Sequence, residues 1–126
     1  MDGDFLQFFM GHEDALPLYH SLEKRILAEI PDVRIKAAKT QIGFFTKYMF
    51  AAVSFLPVRK AKERPQTWLT VTFSLPYTVY SPRIDAVAYP CENRVTHHVM
   101  IGSPAETDDE LLGFLREAAA FSSRKR

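Results

Sequence analysis

Three small groups of side chains carry what chemistry this sequence offers. The first is Lys39, Gln41 and His97. If the first strand keeps its register, Lys39 and Gln41 share a side with Val33 and Ile35. In the last strand His97 shares a side with Val95, Val99 and Ile101. Period-two alternation then aims three polar groups at an apolar layer. Buried polar groups need partners, and a buried lysine needs a counter-charge or a ligand. A pocket at the sheet edge is one solution. It would make a small enzyme, with Lys39 as electrostatic anchor and His97 as general base. The plainer solution is a bend at residues 38–40 that puts Lys39 in water. His97 is then a hydrogen-bonded core histidine.

The second group is Arg34, Lys36, Trp68, Thr70, Thr72 and His98. These lie on the opposite parity, the side that no helix covers. A basic and aromatic sheet face can stack bases and neutralise phosphates. The consensus of RNA-recognition sheets is absent, so nucleic acid is the less favoured partner. A partner protein, a second copy of the chain, or plain water can cover the same face. The third group is Cys91, Glu92, His97 and His98. Adjacent histidines on a strand point to opposite faces, so they do not share one metal without distortion. No paired cysteine or histidine spacing supports them, and nothing around Cys91 activates a nucleophile. Glycine-rich phosphate loops are absent as well. No metal, cofactor or catalytic residue is therefore expected.

Hydrophobic spacing along the chain sets the elements that position these residues. Phe5, Phe8 and Phe9 fall on one face of a short helix over Phe5 to Met10, with Asp4 as its cap and Gly11 as its stop. Leu18, Leu22, Ile26 and Ile30 repeat every four residues and draw a stripe along a second helix. Pro17 places its start near residues 13–16, and Pro31 ends it near Ile30. After Pro31 the period changes to two, with Val33, Ile35 and Ala37 alternating with Arg34 and Lys36. Further strands are expected at Ile42–Phe45, Met49–Leu56, Leu69–Leu75, Ile84–Tyr89 and Arg94–Ile101. Residues 59–66 read as a charged loop. Thr107 with Glu110 forms a capping box for a last helix striped by Leu111, Leu112, Leu115, Ala118 and Ala119. Arg124, Lys125 and Arg126 make a basic, frayed tail after it.

The total charge conceals an uneven distribution. The chain has 126 residues, 47% hydrophobic and 25% charged, with a formal net charge of +1. That describes one globular domain with a real core, not a disordered chain or a polyanion coat. Yet residues 1–32 carry a balance of −5, residues 33–66 a balance of +7, and residues 67–126 a balance of −1. The +7 segment holds Arg34, Lys36, Lys39, Lys47, Arg59, Lys60, Lys62 and Arg64 against Glu63 alone. It is either a solvated face turned toward acidic helices or an anion-binding surface. One cysteine excludes an internal disulfide. No secretory signal is read at the acidic N-terminus, and the longest apolar stretch is too short for a membrane span. A cytoplasmic domain is the expectation.

Several stretches taken in order resemble a known family. They are Phe8-Phe9-Met10-Gly11, Lys39-Thr40-Gln41-Ile42-Gly43-Phe44, Met49-Phe50-Ala51, Thr96-His97-His98-Val99 and Asp108-Asp109-Glu110-Leu111-Leu112. Together they are similar to the small bacterial domains grouped as domain of unknown function 5655. The resemblance covers nearly the whole chain and implies an α+β domain. It implies no established activity, so it assigns no catalytic residue. The sequence thus predicts one α+β domain over residues 1–126. Its antiparallel, meander-like sheet has five or six strands, with two N-terminal helices and one C-terminal helix on one face. The function it suggests is a non-catalytic module that binds an anionic ligand or a partner protein. The small enzyme and a dimerisation domain are the alternatives.

Overall fold

The computed structural model describes residues 3–124. Helices α1 (Gly3–Phe8) and α2 (Leu16–Glu29) precede strands β1 (Arg34–Ala37), β2 (Ile42–Phe45), β3 (Met49–Ser54), β4 (Leu69–Leu75), β5 (Ala86–Cys91) and β6 (Arg94–Ile101). Helix α3 (Asp109–Arg124) closes the chain, and Lys125 and Arg126 lie outside the described residues. The six strands form one antiparallel sheet in the order β1-β2-β3-β4-β6-β5. The first four strands follow one another as a meander. The last two exchange places, so β6 is central and β5 is an edge.

Alternation divides the sheet into two faces. The inner face carries Ile42, Phe44, Ala51, Val53, Leu69, Val71, Phe73, Leu75, Val99 and Ile101, all buried. It packs against Leu18, Leu22 and Ile26 of α2 and Leu111, Leu112, Leu115 and Ala118 of α3 in one cluster. Each fully buried Leu or Ile contributes about 2 kcal/mol of transfer free energy, so both helical stripes are held mainly by this contact. Phe5, Phe8 and Phe9 extend the cluster through edge contacts with Tyr19 and a stack of Phe8 on Phe55 at 4.9 Å.

Helix ends follow their local chemistry, with some shifts from the expected positions. Asp4 lies inside the first turn of α1 and does not cap it, because the helix begins at Gly3. Pro17 sits in the first turn of α2, where its missing N–H costs nothing. The chain becomes extended at Ile30, before Pro31. The cap of α3 is Asp108, one residue later than the expected Thr107. The Asp108 carboxylate accepts the Leu111 N–H at 3.1 Å, while the Thr107 hydroxyl donates to the Pro104 carbonyl at 2.6 Å. Strand β3 stops at Ser54, because the following residues turn across the outer face. Strand β5 runs from Ala86 to Cys91, later than the expected Ile84–Tyr89. Ile84 instead packs against the core, and Asp85 is taken up by Arg59.

Candidate functional site

The β1–β2 connection decides the fate of the first residue group. The Ala38 N–H donates to the Gln41 carbonyl at 2.8 Å, so Lys39 and Thr40 form a two-residue turn. Ala37 pairs with Ile42 on the inner face, which places Gln41 on the outer face. Lys39 is exposed. His97 is inward and fully buried, on β6. Three strand spacings, about 14 Å, separate β2 from β6. The expected pocket of Lys39, Gln41 and His97 therefore does not form. The tight turn resets the register, so the alternation counted from Val33 does not carry past Ala38.

His97 is instead a core histidine. Its ring stacks on Phe73 at 5.0 Å, and its Nε2 accepts the Val79 N–H at 3.0 Å. Burial pushes its pKa down, with the neighbouring His98 a minor contributor in the same direction. It pins the 76–85 segment over the inner face of β6. That segment is also tied to the start of α3 by Arg83, which pairs with Asp108 at 2.5 Å and donates to the Glu106 carbonyl.

The second group shares the outer face, as its parity predicts, but that face is not an open platform. Trp68 is half-buried, with Phe55 against it edge-on at 5.8 Å and the Arg64 guanidinium 5.6 Å from its ring centre. Thr70 and Met100 point outward and are still almost completely buried. They are covered by the chain after β3. Thr70 donates to the Leu56 carbonyl at 2.7 Å, and Arg59 donates to the Met100 carbonyl at 3.2 Å. Arg59 also pairs with Asp85 at 2.8 Å, which fixes this segment against the start of β5. Gly102 allows the same close approach: a Cβ there would lie 2.5 Å from Pro65. Cys91 is exposed at the end of β5, and among the described residues no cluster suited to a metal occurs.

Beside this covered end, the outer face is hollow. One row across the sheet reads Gly43, Ala52, Thr72 and His98, which pair in register. Ala52, Thr72 and His98 of this row line the floor of a groove. Met49 and Phe45 lean over Gly43, so close that a Cβ there would lie 2.9 Å from each. The groove is about 870 Å³. On its β4–β6 side the polar groups are bonded in pairs across the strands. The Thr72 hydroxyl meets His98 Nδ1 at 2.8 Å, and Ser74 meets Thr96 at 3.1 Å. With Nδ1 engaged, His98 keeps Nε2 without a protein partner among the described residues. Burial lowers its pKa, so it is the neutral imidazole that stands here near pH 7.

The electrostatics of the groove are one-sided. Its basic lining residues are His12, Lys39, Arg94 and His98, and no Asp or Glu lines it among the described residues. Neither Lys39 nor Arg94 joins an ion pair with a described residue. Of the eight basic side chains in residues 33–66, Arg59 alone is ion-paired among the described residues. Glu29, Asp108, Asp109 and Glu110 are met by other cations: Arg25 and Arg116 on Glu29, Arg25 on Asp109, and Arg83 on Asp108 and Glu110. Arg34 donates to the Thr46 carbonyl, and Lys36 is exposed on the β1 edge, outside the groove.

The model of the family described as Domain of unknown function (DUF5655) matches residues 7–122. The chain belongs to this family. No curated protein and no solved structure matches it. In this DUF5655 chain, sequence reasoning missed Ala52, Ser74, Arg94 and Thr96 as groove residues. The available signal was the outward parity of Ser74, Arg94 and Thr96, which lie in step with Thr72 and His98. The exchange of β5 and β6, which puts β6 beside β4, had no local signal.

Proposed function

We propose that this DUF5655 chain is a non-catalytic binding module that holds an anionic small molecule in the outer-face groove. The observation that carries this reading is the groove's lining, which includes the cations Lys39 and Arg94 and, among the described residues, no carboxylate. In a chain with fifteen acidic residues, that segregation favours an anionic occupant. Pre-bonded hydroxyls beside His98 supply neutral donors that need little reorganisation to meet a ligand. A binding role is favoured over catalysis because the polar partner of His98 is a threonine. No described carboxylate backs the ring as it would in a general base.

The test is a thermal-shift screen of phosphates, sulfonates, carboxylates and nucleotides, with uncharged analogues alongside. At least one anion should raise the midpoint, less so at high salt, and the shift should shrink in Arg94→Gln. Stabilisation by uncharged analogues alone overturns the reading.

A further inference from the structure

The sheet ends in two unlike edges. Strand β1, at one end, carries Arg34 and Lys36. Strand β5, at the other, holds no charged residue and is exposed from Val87 to its end. Among the described residues, only β6 bonds the β5 backbone. An open, uncharged edge is a template for another strand, and proteins that stay single commonly blunt such an edge with charge.

The backbone of β5 is set for such a strand. The His98 carbonyl accepts the Asp85 N–H at 2.9 Å, and the Met100 N–H donates to the Asp85 carboxylate at 2.7 Å. Even-numbered residues of β6 therefore turn their backbone groups toward β5. Ala86 and Ala88, opposite His98 and Thr96, turn theirs back toward β6. Alternation then points the N–H and C=O of Val87 and Tyr89 out of the sheet, to the open edge. Pro90 turns the same way as Ala88, toward β6, where the register shifts. Its missing N–H therefore leaves the open edge intact. The side chains of Val87 and Tyr89 lie on the helix side: Val87 is opposite the inward His97, and the Tyr89 hydroxyl meets Thr78 at 3.2 Å. Helix α3 packs on β3 and β4, and out at β5 Val87 is 36% exposed and Tyr89 67%.

We propose that β5 pairs antiparallel with β5 of a second copy of this chain, about a two-fold axis at Ala88, joining the two sheets edge to edge. The sequence about that axis is self-complementary. Val87 of each copy faces Tyr89 of the other, the pairing of β-branched and aromatic side chains that stabilises sheets. Both pairs are of the hydrogen-bonded kind, because Val87 and Tyr89 turn their backbone groups to the open edge. Ala88 meets Ala88 at the close, non-hydrogen-bonded position, where a small side chain fits. Asp85 falls opposite Cys91 and Glu92 opposite Ile84, so no like charges meet. At β1 the same operation about Ile35 would set Arg34 against Lys36, a like-charge pair. The neutral edges therefore close into a dimer and do not extend into a filament. Tyr80, two residues beyond Thr78, is 92% exposed and adds to the seam. Covering Val87, Tyr89 and Tyr80 removes about 400 Å² per copy from water, less than permanent interfaces bury, so the association is weak.

Sedimentation velocity over a concentration series tests this. A reversible monomer–dimer equilibrium is expected, with its midpoint between about 10 and 500 μM. Ala88→Lys sets two like charges against each other at the axis. It should weaken the dimer at least about tenfold and leave the circular dichroism of the exposed strand's fold unchanged. Crosslinking in a Cys91→Ser background reads the register. Ala88→Cys should be oxidised by diamide to a disulfide-linked dimer, because non-hydrogen-bonded partners lie about 4.5 Å apart, within disulfide reach. Lys36→Cys, on the opposite edge, should stay monomeric under the same treatment. Wild-type protein that remains monomeric up to about 1 mM overturns the proposal. So does a dimer undiminished by Ala88→Lys, or equal crosslinking of the two cysteine variants.

Discussion

His97 and His98 are neighbours in the chain and opposites in the fold. His97 points into the helix-covered core, where it stacks on Phe73 and accepts one backbone N–H. His98 points across the other face, meets Thr72, and keeps a ring nitrogen for something else. Both pKa values are lowered by burial. The same residue type therefore serves two ends. Inside, a loop brings Nε2 a donor, while Nδ1 is buried without a hydrogen-bond partner among the described residues. Outside, Thr72 engages Nδ1, and no described residue bonds Nε2. The two faces of the sheet divide in the same way: one is closed by packing, the other is grooved.

That contrast can be broken by mutation, most strongly on the inner face. Phe73→Ala removes the ring stacked between His97 and Phe114, and should cost about 3–5 kcal/mol in chemical denaturation. Its outer neighbour Thr72→Ala should cost less than about 1 kcal/mol. Equal losses at the two positions would show that the faces are not so divided. Asp108→Ala removes both the α3 cap and the Arg83 ion pair, and a loss of about 1–2 kcal/mol is expected in the same experiment.

The response to pH sharpens the comparison. Both histidines have depressed folded-state pKa values, so the unfolded chain binds more protons than the native one below the ordinary value of 6.5. Stability is full above about pH 6.5 and falls as the pH drops through the folded values. Each histidine contributes a slope of up to about 1.4 kcal/mol per pH unit. Asp108, whose carboxyl is held low by its backbone and Arg83 bonds against an opposing effect of burial, acts in a separate and lower window. Its contribution is present above about 3.8 and is lost as the pH falls below that. In His97→Phe the slope just below pH 6.5 should be shallower, and a slope unchanged from wild type would remove His97 from this account. The smallest effect belongs to the exposed cations. Lys36→Ala and Lys39→Ala should each change stability by less than about 0.5 kcal/mol, measured by thermal melting.

Much of the frame was legible from spacing alone. The four-residue stripe of Leu18, Leu22, Ile26 and Ile30 and the alternation over Leu69–Leu75 are strong periodic signals, and both elements stand where they predict. The inward aim of His97 followed from the same alternation. The site was less legible. The alternation counted from Val33 puts Gln41 on the inner face, but one tight turn at Lys39-Thr40 inverts parity, and no glycine or proline marks that turn. The groove floor combines Ala52, Thr72 and His98 from three different strands, which requires the strand register. The cover over Thr70 and Met100 comes from Leu56 and Arg59, in a stretch whose charge reads as solvated loop. These features are products of pairing between distant segments, and no local pattern encodes them.

The exchange of the last two strands has a consequence for how the sheet assembles. Strand β4 does not pair with β5, and its free edge waits for residues 94–101. Strands β5 and β6 are joined by the two-residue turn Glu92-Asn93, with Asn93 in the left-handed region at φ 61°. Such a turn lets the pair form locally before it meets the rest of the sheet. The β5–β6 pair completes the sheet when residues 94–101 reach β4, and α3, which follows in the chain, packs on β3 and β4. On the ribosome the open edge of β4 would persist until residues 94–101 had emerged.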